Sequence, residues 1–192
     1  MTGYTIIKRC LTAMAVVALL GTFAPSGAYA QGLFSAFFGG QSGRSQMPFS
    51  KKYRTGTIIV SFSDRRLYQV IRPGLAMSYP IGVPTGKARW QGTLNVSRKA
   101  VNPGWTPTAS MRRENPKLPA HVPGGHPRNP LGVRALYLGS TLYRIHGTDA
   151  PWTVGQNVTH GCIRMDNNDV IDVYNRTRVG TRVIATWKSY RS

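Results

Sequence analysis

Hydrophobic and polar positions first organise into short runs after Gly56. "TIIVSFS" (57–63) and "DRRLYQVI" (64–71) are rich in β-branched and aromatic residues and are separated by a short polar turn. Such residues suit a pleated, half-buried surface. "RPG" (72–74) closes the second run, "AMSYPIGV" (76–83) opens a third, and "GTLNVSRKAV" (92–101) reads as a further strand. "RALYLGSTLYRIHGT" (134–148) reads as a hairpin, with Gly139-Ser140 forming a two-residue turn in which glycine takes positive φ. One stretch carries a helical period instead. Over 166–176 Asp166 can cap, Asp169 suits the positive end of a first turn, and Val170, Val173 and Tyr174 share a face. Gly180 ends the connection, and "TRVIATW" (181–187) gives a last strand. The expected fold is mostly β with one or two short helices.

Residues 102–130 follow neither period. Seven prolines fall there, beside Trp105, His121 and His126, and proline cannot serve a central strand. A long ordered loop or a chain of short pieces is expected. Long segments of this kind are usually functional, so a lid or cleft wall is preferred over a plain surface insertion.

The start of the chain has its own pattern. Lys8 and Arg9 precede an apolar run (10–24), and "AYA" (28–30) offers small residues before Gln31. The run is short for a membrane span, so 1–30 reads as a signal peptide rather than a retained anchor. Residues 31–55 read as a flexible linker. The linker holds one apolar patch of unassigned role, "LFSAFF" (33–38). A single domain then occupies 56–187, with a short tail at 188–192. Export to the periplasm or cell envelope is the expected localisation.

Charge narrows the partners. Lys and Arg number 25 against 6 Asp and Glu, and arginine supplies 18 of the 25. Loss of Lys8 and Arg9 with the leader leaves 23 against 6, a net +17. Such a balance favours polyanions. The charges are scattered and accompany no nucleic-acid motif, and export disfavours nucleic acid as a partner. Peripheral attraction to anionic envelope surfaces is one reading; a solvated basic surface is the other.

Cleavage removes Cys10 and leaves Cys162 as the only cysteine, which cannot form an internal disulfide. A lone thiol in an oxidising compartment is a candidate nucleophile. It needs a base whose other ring nitrogen is held by an acceptor. His160 lies two positions away, too close along a strand to converge on the sulfur. His146 ends an expected strand and is assigned as the base, with the Gly147 carbonyl as orienter. Gly161 lets the chain turn tightly, and the N–H groups of Gly161 and Cys162 are candidates for an oxyanion hole. A zinc site is disfavoured: no C-x-x-C or H-E-x-x-H spacing occurs. A papain-like order is disfavoured because the histidine precedes the cysteine.

"YRIHGTDAPWTVGQNVTHGCIRMDNNDV" (143–170) resembles the signature of L,D-transpeptidases, the YkuD-type catalytic domain: His146-Gly147, a spacer, then Thr159-His160-Gly161-Cys162-Ile163, with Arg164 and Met165 fitting the Cys-Ile-Arg-Met branch. Segments 79–108 and 129–139 also resemble that family, and the likeness runs from about 56 to 187. One departure is "GKARWQG" (86–92), longer than the matching stretch of relatives and expected at the cleft rim. The resemblance implies a YkuD-like β-sandwich or barrel-like catalytic fold, no cofactor or metal, and peptidoglycan stem peptides as substrate. It implies Cys162 as nucleophile and His146 as base, with Gly147, Thr159, His160, Gly161 and Arg164 in support. Arg164 either touches substrate or braces the loop. The thioester would pass to a second stem, giving a 3→3 crosslink, to an envelope protein, or to water. A non-catalytic wall-binding module is the rival from another class.

Overall fold

The computed structural model describes residues 43–88 and 90–191. The leader, its cut at Gln31 and "LFSAFF" lie outside the described residues. Eleven strands are seen: β1 (Ser45–Pro48), β2 (Ile58–Ser61), β3 (Arg66–Arg72), β4 (Leu75–Pro80), β5 (Val83–Pro84), β6 (Gly92–Val101), β7 (Arg134–Leu138), β8 (Arg144–His146), β9 (Asn157–Thr159), β10 (Ile163–Arg164) and β11 (Arg182–Thr186). The helices are α1 (Ala109–Glu114) and α2 (Asn167–Arg176). The fold is mostly β, as the sequence pattern and the resemblance imply.

Nine strands form one sheet in the order β1-β4-β3-β2-β11-β6-β7-β8-β10. The last strand of the chain sits in its middle, parallel to β2 and antiparallel to β6. Alternation along the strands makes two apolar faces. Ile58 and Val60 join one core cluster, and Ile59, between them, joins the other. The larger cluster takes Leu67 and Tyr79 from β3 and β4 together with Leu136 and Ile145 from β7 and β8. β4 and β8 are six strands apart in the order. At about 4.8 Å per strand a flat sheet would hold them nearly 30 Å apart, so the sheet curls around this core. Past β4, Gly82 closes the curl by exchanging backbone hydrogen bonds of 2.8 and 2.9 Å with Arg164 of β10.

Three local expectations change. Residues 45–48, expected as linker, pair antiparallel with β4, and Phe49 and Tyr53 pack on Tyr68 and Tyr190 of the smaller cluster. The tail is likewise docked. Asp64 accepts the Ser189 hydroxyl and the Tyr190 N–H, and the Tyr53 and Tyr190 hydroxyls lie 2.7 Å apart. The turn between β7 and β8 spans five residues, 139–143, rather than two, although Gly139 does take φ +56°. The Thr141 hydroxyl donates to the Leu138 carbonyl and accepts the Tyr143 N–H, which stabilises the longer loop.

α2 forms where its pattern places it. The Asp166 carboxylate accepts the Asn168 N–H, and Val170 and Val173 are fully buried. α1 lies inside the proline-rich segment, where no helical period was read. Thr108 caps it by accepting the Met111 N–H, and it buries none of its residues.

Candidate active site

Strand register assembles the site. β10 runs parallel to β8, with Ile163 beside Ile145 and Arg164 beside His146. One step earlier, Cys162 comes beside Arg144. Ile145 and Ile163 point into the core, so alternation sends Arg144, His146, Cys162 and Arg164 to the opposite face. All four line one cleft of about 310 Å³. Its other wall is the proline-rich segment, through Trp105, Met111, Glu114 and Leu118. A second opening of about 370 Å³, bounded by Thr141, Leu142 and Tyr143, also reaches Cys162.

His146 is buried, only 4 % exposed. Its Nδ1 donates to the Gly147 carbonyl at 2.6 Å. A carbonyl only accepts, so the ring proton sits on Nδ1 and Nε2 carries the lone pair; the Pro130 carbonyl also acts on the ring. Burial pushes the His146 pKa down to about 4; the carbonyl of Gly147 opposes this, and the charges of Arg164 and Arg144 add to it. Asn167, at the start of α2, holds the strand end in place. Its Oδ1 accepts the N–H groups of Val133 and Thr148, and its Nδ2 donates to the Thr148 carbonyl. A Cβ at Gly147 would collide with that Oδ1.

Cys162 is half-buried, and its thiol donates to the Leu142 carbonyl at 3.5 Å. Burial raises its pKa, while the backbone N–H, charge and guanidinium of Arg144, and the charge of Arg164, pull it back. The resting pair is therefore a neutral thiol and a neutral imidazole rather than an ion pair. The sequence pattern does not single out Arg144. The only available signal was its place two residues before His146, which has meaning once β8 and β10 are known to pair.

The remaining motif residues hold the loop. Gly161 has φ +124°, and a Cβ there would lie 2.8 Å from the Tyr143 ring. Trp90 stacks on Tyr143, with ring centroids 4.6 Å apart, and its indole N–H donates to the Gly161 carbonyl at 3.0 Å. Trp90 thus buttresses the glycine. Thr159 is buried and donates to the Cys162 carbonyl. Arg164 donates to the Thr153 hydroxyl at 2.7 Å while also lining the cleft. His160 is exposed, and its Nε2 lies 3.0 Å from Glu114 Oε2 on α1. It thereby bridges the motif to the opposite wall. Among the described residues no three His, Cys, Asp or Glu side chains gather as metal ligands.

The chain was compared with known proteins. The family model for the L,D-transpeptidase catalytic domain, YkuD, matches residues 55–184. Probable L,D-transpeptidase YbiS of Escherichia coli (strain K12) is 42% identical over 135 residues, which are 66% of this chain and 43% of that protein. Probable L,D-transpeptidase ErfK/SrfK of Salmonella typhimurium is 42% identical over 135 residues, 66% of this chain and 42% of that protein. The matched region thus spans less than half the length of these curated relatives. Among solved structures, an L,D-transpeptidase from Mycobacterium smegmatis matches with TM-score 0.53 at 18% identity, covering 68% of this chain and 58% of that one. L,D-transpeptidase 3 from Mycobacterium tuberculosis gives TM-score 0.54 at 17% identity, covering 68% and 60%. At these identities the solved structures speak for the fold.

Proposed function

We propose a peptidoglycan transpeptidation reaction for this chain, which belongs to the L,D-transpeptidase (YkuD) catalytic-domain family. The supporting observation is one cleft lined by both Cys162 and His146, in which the His146 ring is fixed by the Gly147 carbonyl. The substrate is a stem tetrapeptide. Its scissile bond joins meso-diaminopimelate at position three to D-alanine at position four.

In the first half-reaction Cys162 Sγ attacks that carbonyl and passes its proton to Nε2 of His146. Since the resting groups are neutral, proton transfer accompanies attack rather than preceding it. Arg144 and Arg164 supply positive charge beside the sulfur, where negative charge develops. The tetrahedral oxyanion falls to the N–H groups of Gly161 and Cys162, a contribution typically worth about 3 kcal/mol per donor. The C–N bond breaks, His146 returns the proton to the amine, and D-alanine leaves with a thioester on Cys162. In the second half-reaction an amine of another stem attacks the thioester and loses its proton to His146. The thiol is released, and a 3→3 crosslink forms. The leader-like pattern of residues 8–30 supports an exported enzyme working in the cell envelope. The same thioester would serve attachment of an envelope protein, with only the incoming amine changed.

The test is incubation with defined tetrapeptide stems, followed by separation of the muropeptides by mass. Crosslinked dimer and free D-alanine are expected, both absent for Cys162→Ala. D-alanine release by Cys162→Ala would overturn the assignment of the nucleophile. Dimer absent while an amine-bearing protein is labelled would move the reading to protein attachment.

A further inference from the structure

Beside the catalytic cleft lies a second cavity of about 570 Å³. The two share Trp105, Leu118 and Pro130 as a common wall. The new cavity has a distinct chemical character. Lys117 and Arg128 line it together with the imidazoles of His121 and His126, and Asp149 is the one acid on its lining. The Asp149 charge already acts on Arg164. Lys117 and Arg128 have no ion-pair or side-chain hydrogen-bond partner among the described residues. Two cationic side chains without a bonded partner therefore share this concave surface with a single carboxylate, Asp149.

The walls are pre-set. Pro119, Pro123 and Pro130 fix their own φ angles. Trp105 and Val122 exchange backbone hydrogen bonds of 2.9 and 2.8 Å across the cavity floor. Asn129, buried, donates to the carbonyls of Pro103 and Pro123 and accepts the Leu131 N–H. The Thr106 hydroxyl lies 3.0 Å from Nδ1 of His121, and Nδ1 of His126 accepts the Arg128 N–H. The backbone that carries Lys117 and Arg128 is thus held in place, so the ordering cost of binding falls on their exposed side chains alone.

We propose that this cavity binds a side-branch carboxylate of a stem peptide whose reacting end lies at Cys162. The identity of the reacting peptide rests on the proposed function; the anion site rests on the cavity itself. A stem carries several carboxylates, and either the acyl donor or the amine acceptor can supply the bound one.

The experiment uses the full chain carrying Cys162→Ala, so that binding is read without turnover. Calorimetric titration compares a free-acid tetrapeptide stem with the same stem amidated at its side-branch carboxylates, in the presence and absence of Lys117→Gln/Arg128→Gln. Two exposed charge pairs at up to ~1 kcal/mol each predict a loss of affinity for the free-acid stem of up to about thirtyfold. The amidated stem should be unaffected. Equal loss for both stems, or loss for neither, overturns the proposal. A tetrapeptide with its side-chain amine acetylated can only donate, and a tripeptide can only accept, so the one that loses affinity names the source. If the double variant does not fold, salt replaces it. Raising ionic strength must weaken the free-acid stem more than the amidated one, and an equal effect on both stems overturns the site. D-alanine release by the unaltered chain tests the chemistry separately, so the two failures are distinguishable.

Discussion

The cleft has two walls of opposite construction. The motif wall, residues 157–170, is woven into the fold. Ile163 and Met165 are fully buried, β10 is laddered to β8, Gly82 pairs with Arg164, and Trp90 and Tyr143 pack against Gly161. The facing wall, residues 102–130, is a proline-rich strap. It has its own internal bonds, but α1 buries no side chain. Its direct tie to the motif is the Glu114–His160 pair, with side chains 61% and 54% exposed. Chemistry that needs sub-ångström placement sits on the buried wall. The facing wall is held by contacts that cost little to break. Lesions on the two walls should therefore differ in size and in kind.

The largest effect is expected at Gly161→Ala. The new Cβ meets the Tyr143 ring and holds a non-glycine residue at φ +124°. Strain and overpacking together should cost about 2–5 kcal/mol in stability. A displaced loop should lower kcat about a hundredfold. Urea unfolding and D-alanine release report both, and an unchanged kcat would remove the rigid-wall argument.

An intermediate effect comes from pH. His146 is neutral when buried, with its pKa pushed down to about 4. The unfolded chain takes up the same proton near its ordinary value of about 6.5. Stability from this group is thus complete above pH 6.5 and is lost as pH falls toward 4, by roughly 3 kcal/mol. Urea midpoints at pH 7 and pH 4.5 should differ accordingly, and His146→Gln should flatten the difference. Activity should fall over the acid limb as Nε2 becomes protonated.

The smallest effect belongs to the strap. Glu114→Gln removes one exposed pair and should shift stability by less than about 1 kcal/mol. KM for a stem peptide should change while kcat holds. A large loss of kcat would show that the strap positions the chemistry and would erase the contrast between the walls.

The same contrast explains what could be read from the chain. β2, β3, β6, β11 and α2 announce themselves through β-branched runs and through the Asp166 cap, because their signals are local. The strap's helix is a single capped turn and a half among prolines, with no buried face to impose a period. β1 pairs with β4 across some thirty residues, and "SQMP" carries no strand pattern of its own. Its strand conformation comes from the partner edge.

The pattern of apolar and polar positions by itself indicated a mostly β chain, and the motif by itself singled out Cys162 and His146 as reactive candidates, with Gly161 as the turn between motif and thiol. Each of those is carried by a local residue pattern or by a motif that lies within one continuous stretch, 143–170. Tertiary structure alone decided that β11 enters mid-sheet, that Arg144 stands beside the sulfur, that His160 turns to Glu114, and that Lys117 and Arg128 face an adjoining cavity. The first two depend on which strands pair and in what register, where a one-residue slip would send Arg144 to the other face; the last two depend on how the proline-rich strap folds against the motif wall.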